Sequence, residues 1–88
     1  MIKGKTKTGF EYEIKKESLN NYELLENIAE LEENPLSVTS IVKHLLGKEQ
    51  AKTLKEHVRN ENGIVEIDKM TEEITEMLNN GSQETKNL

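Results

Sequence analysis

Cysteine is absent from the 88 residues. That excludes a disulfide framework, a thiolate zinc site and a cysteine nucleophile. Tryptophan is absent too, and one Phe and two Tyr are the whole aromatic complement of a chain with formal charge −5. Nucleic-acid binders rely on a basic field and stacking platforms, and neither is present, so no nucleic-acid partner is expected. No run of about 18 apolar residues exists to span a bilayer. The start, Met1-Ile2-Lys3-Gly4, lacks the apolar stretch of a secretory signal, and the helices read below are Glu-rich where a membrane-surface helix would be Lys/Arg-rich. The expectation is a soluble cytoplasmic protein with no membrane partner.

Leu, Ile, Val and Phe account for 22 of the 88 residues, enough for a folded but thin core. Phe10, Tyr12 and Ile14 alternate with Glu11 and Glu13, the period of a half-buried strand. Lys3 and Lys5 alternate before them, and Lys7-Thr8-Gly9 supplies a turn. A hairpin over 2–14 follows, with 2–6 paired to 10–14 and the lysines facing Glu11 and Glu13. Four short helices are predicted after it, over about 20–33, 36–46, 48–59 and 68–79. Asn20 or Asn21 caps the first, whose stripe is Tyr22, Leu24, Leu25, Ile28, Ala29 and Leu31, and Pro35 stops it. The second carries Val38, Ile41, Val42, Leu45 and Leu46 up to Gly47, and the third carries Ala51, Leu54 and Val58. Ile64-Val65-Glu66-Ile67 reads as a short, buried extended piece. The fourth helix sets Ile67, Met70, Ile74, Met77 and Leu78 against Glu72, Glu73 and Glu76. The fold class is therefore α+β, mostly α, as one small domain over 1–80, with a flexible tail over 81–88.

Little here carries chemistry. His44 and His57 lie on different helices without a metal-binding pattern, and each glycine sits alone at a turn or cap. Glutamate pairs occur without an Asp-rich loop, since Asp68 is the single aspartate. The serines have no base at a recognisable spacing, and a thin-cored domain has little wall for a pocket. We expect no catalytic residues, no metal, no cofactor and no small-molecule substrate. What remains is a binding surface. The helix from Leu36 to Leu46 is apolar around more than half its circumference, so it is either the central helix or partly exposed to a partner, and both can hold.

Charge is uneven along the chain. Residues 17–33 hold six glutamates and no base, whereas 43–59 hold five Lys/Arg against two Glu. Complementary blocks on identical subunits can meet head to tail, or serve only as solvated surface.

The order of these features resembles that of the small tail assembly chaperones of long-tailed phages and prophages of Gram-positive bacteria. The residues that carry the likeness are Lys7-Thr8-Gly9-Phe10-Glu11-Tyr12-Glu13-Ile14, Tyr22-Glu23-Leu24-Leu25-Glu26, Asn34-Pro35-Leu36, Leu45-Leu46-Gly47 and Leu54-Lys55-Glu56-His57-Val58-Arg59. It covers about residues 3–78 as a hydrophobic and polar order, without an invariant chemical motif. The resemblance implies a non-catalytic protein that self-associates around a helical client, the tape-measure protein, and recruits major tail protein subunits. Leu36, Ile41, Val42 and Leu45 are then the candidate partner-binding residues. The rival reading is a small phage-encoded inhibitor that binds a host enzyme through its acidic face. An acidic DNA mimic is a weaker one, opposed by the basic middle helix.

Overall fold

A computed structural model describes the backbone of residues 1–86 and the side chains of residues 1–80. The chain opens with β1 (Ile2–Lys5) and β2 (Glu11–Ile14), antiparallel in the register Ile2↔Ile14, Lys3↔Glu13, Gly4↔Tyr12 and Lys5↔Glu11. This is the expected pairing. Gly9 takes a positive φ of 96° in the turn, and its N–H donates to the Thr6 carbonyl. Ile2, Thr6, Phe10, Tyr12 and Ile14 are buried on one face, while Lys3 reaches Glu13 on the other at 3.6 Å. Gly4 is required where it stands, because a Cβ there would collide with the Tyr12 ring packed across it.

A single helical turn, α1 (Lys16–Leu19), occupies what the sequence reads as a polar junction. α2 (Tyr22–Glu30) is capped by Asn21, whose side chain accepts from the Glu23 N–H at 2.9 Å. It ends three residues before the expected stop, and turns carry the chain from Leu31 to Pro35. Its stripe also divides. Leu24 is buried and Ile28 and Leu31 half-buried, but Tyr22, Leu25 and Ala29 face outward.

α3 (Ser37–Val58) takes in both middle helices. Gly47, with φ 79° and ψ 171°, leaves helical geometry, so two arms meet there at a kink, where the sequence placed a helix end. Arg59 to Glu66 form turns and coil. The buried extended piece expected at 64–67 does not form: Val65 is half-buried, Ile64 is exposed, and Ile67 already belongs to α4 (Ile67–Lys86). Helical backbone thus runs past the expected end at 79. It takes up 81–86 of the expected tail, whose last residues, 87–88, lie outside the described residues.

The domain is α+β and mostly α, with the hairpin laid on the helices. Ile14, Ile41, Leu45, Leu54, Ile74 and Met77 meet at its centre, each at most 1% exposed. Gln50 braces the sheet from the second arm of α3. Its Nε2 donates to the Glu13 carbonyl at 2.7 Å and its Oε1 accepts from the Glu13 N–H at 2.8 Å, so it satisfies backbone that β1 does not reach.

Candidate functional site

Among the concave regions on the surface of the described residues, two bear on function. The larger, about 740 Å³, runs between the hairpin turn, the end of α3 and one face of α4. Its wall holds Glu73, the one buried acid among the described residues. The hydroxyls of Thr6 (3.2 Å) and Thr8 both donate to Glu73 Oε1. Thr8 Oγ1 also lies 3.0 Å from His57 Nε2, and His57 Nε2 lies 3.9 Å from the same carboxylate oxygen. With its own proton committed to Glu73, the Thr8 hydroxyl can only accept from His57, so Nε2 carries the proton. An imidazole so arranged cannot take a proton from Thr8, and this threonine is not set up as an activated nucleophile.

The cluster instead fastens the hairpin turn. Glu76 adds to it by accepting from the Lys7 N–H at 2.9 Å, and the Phe10 ring packs against the His57 ring at 5.6 Å. Sequence reading put Glu73 on the outer face with Glu72 and Glu76. It lies inward because its position, three after Met70 and four before Met77, is on the core face of α4. That spacing is the signal by which it was recoverable. His57 joins the cluster by tertiary packing alone, while His44 stands apart and meets the Asn21 amide at 3.5 Å.

The smaller region, about 340 Å³, is an apolar groove. Val38 and Val42 from the first arm of α3, Ala51 from the second, Val65, and Ile67 and Met70 of α4 form its floor. The kink at Gly47 is what sets the two arms at an angle and lets both contribute. Lys43 and Lys55 stand on the rim, and among the described residues no carboxylate lines the groove and neither lysine is in an ion pair. Of the four residues singled out for partner binding, Ile41 and Leu45 are in the core, at 0% and 1% exposure. Val42 is nearly covered but reaches the groove, and Leu36, 69% exposed, caps the start of α3 two residues before Val38. A patch of all four therefore does not exist on the surface of this chain. The helix that bears them is central, as one of its two sequence readings held.

Just past the end of α3, the Arg59 guanidinium hydrogen-bonds Glu56 at 2.8 and 3.2 Å and donates to the Gly63 carbonyl at 2.7 Å. The bonded guanidinium draws the Glu56 carboxyl below the usual carboxylate range. This pair organises the turn that leads to Ile64 and Val65. No helix among the described residues is long and apolar enough to cross a membrane. No group of three or more side chains there is arranged to hold a metal ion. No protein-family model matches the chain, and neither the curated proteins nor the solved structures contain a match to it.

Proposed function

We propose that this chain is a non-catalytic tail assembly chaperone acting in the cytoplasm of a phage-infected or lysogenic cell, where it holds a helical stretch of the tape-measure protein until tail-tube subunits take its place. The reading rests on the resemblance in residue order, and one feature of the structure supports it. This is the open groove, apolar on its floor and lysine-lined at its rim, which suits the apolar stripe of an amphipathic helix. Exposed Leu36 and Ile64, next in sequence to elements that line the groove, add apolar surface to the 57% exposed Ile67 of its floor. The acidic faces of α2 and α4 would keep such a complex soluble.

Co-expression with a tape-measure fragment tests the proposal. The fragment should remain in the supernatant with the wild-type chain and precipitate with Val42→Glu, which puts a charge into the groove; Lys69→Ala, outside it, should behave as wild type. A fragment that precipitates equally with and without the wild-type chain would overturn the reading.

A further inference from the structure

α2 has two apolar faces, and only one is used. Leu24, Ile28 and Leu31 point into the core, whereas Tyr22, Leu25 and Ala29 form a second stripe at spacings of three and four residues, with Tyr22 and Leu25 68% and 62% exposed. Glu26 and Glu30 flank that stripe, and α2 carries no basic residue. An acidic helix with an uncovered apolar stripe thus occurs in the same chain as an uncovered apolar groove rimmed by Lys43 and Lys55. Each half has what the other lacks.

We infer that the outer face of α2 from one copy docks into the α3–α4 groove of a second copy, with Tyr22 and Leu25 on the apolar floor and Glu26 and Glu30 toward Lys43 and Lys55. The inference deepens the chaperone reading, because it places a second copy and the client helix on the same groove, where each excludes the other. The two faces joined are different surfaces of the molecule, so the contact is heterologous, and both outer partners keep one face free. Association then continues past two copies. A nine-residue helix covers only a small interface, so the contact is weak and concentration-dependent, and its charged rim makes it salt-sensitive.

Sedimentation velocity across a dilution series of the full chain at low salt tests this. The mean mass should rise beyond that of a dimer with concentration and fall when salt is added. Reversing the groove rim (Lys43→Glu with Lys55→Glu) or the helix (Glu26→Lys with Glu30→Lys) should each weaken association about tenfold or more. A chain carrying all four reversals should recover it. All four sites are exposed, and circular dichroism verifies that each variant is folded. A wild type that stays monomeric up to millimolar concentration, one that stops at a dimer, or a fourfold variant no better than the double ones would each overturn the inference. The two proposals fail separately. If the wild type is monomeric yet still keeps the tape-measure fragment soluble, self-docking falls and the chaperone reading stands. If it self-associates as described and the fragment precipitates regardless, the opposite holds.

Discussion

Glu73 brings a carboxylate to 3% exposure at a place where an apolar residue would fit the spacing of its helix. A buried carboxylate is tolerated only when its lone pairs are used, and the Thr6 and Thr8 hydroxyls donate to them, with the His57 ring 3.9 Å away. Removing it takes the charged acceptor from the Thr6 hydroxyl, in a residue 4% exposed, and leaves that hydroxyl with Thr8 and the Phe10 N–H. Glu73→Ala should therefore lower stability by about 2–3 kcal/mol in urea denaturation, a cost dominated by the two hydrogen bonds lost to a charged acceptor. Glu73→Gln keeps one accepting oxygen and should lose about half as much. Equal stability of the alanine variant and the wild type would show that the cluster is not fastened as described. The Glu56–Arg59 pair is the opposite case. Both side chains are exposed, and the lowered Glu56 carboxyl adds its small contribution above the ordinary carboxylate range, losing it as pH falls through the lowered value.

At the scale of elements, the decisive residue is Gly47. Its φ of 79° with ψ of 171° is a combination that side chains with a Cβ avoid, yet no atom lies within 4 Å of where that Cβ would be. A substitution there is opposed by the backbone and by nothing else. Gly47→Ala should cost about 2 kcal/mol in thermal or chemical unfolding, and by straightening α3 it should also loosen the groove that both arms line. The position of this break was legible in the sequence, because a lone glycine after Leu45-Leu46 ends a periodic stretch. The hairpin register was legible for a similar reason: alternation fixes which face is inward, and Lys7-Thr8-Gly9 fixes the turn. Other parts were not. Tyr22, Leu25 and Ala29 have the composition of core residues, and only the packing of α2 on α3 decides that Leu24, Ile28 and Leu31 win the inner face. Ile64 was misread because apolar residues in a short segment suggest burial, while Asn60, which accepts from the N–H groups of Asn62 and Ile64, holds that segment as an exposed turn.

For the molecule as a whole, the principal extents of 42 × 28 × 20 Å leave little depth for an interior. Domains of this length are stable by roughly 4–13 kcal/mol, so each central side chain carries a large share. Ile14, fully buried where the hairpin meets the helices, illustrates it. Ile14→Ala should remove about 3 kcal/mol, seen as a shift of the urea midpoint with an unchanged slope, since the truncation leaves a cavity that a sheet held by Gln50 and Glu73 cannot relax to fill.

The fastening of the hairpin turn also has a bearing on biosynthesis. Its carboxylate partners lie 65 to 69 positions further along the chain, so although α3 can brace the first two strands through Gln50 and His57, the turn between them is not fastened until α4 has been made. Contacts so distant in order carry a large loop-closure cost and belong to the final steps of folding. The nascent hairpin therefore waits with its turn unfastened and Tyr12 without its α4 neighbour Asn80, and the interval before α4 arrives is the stage at which the growing polypeptide is most open to misassociation.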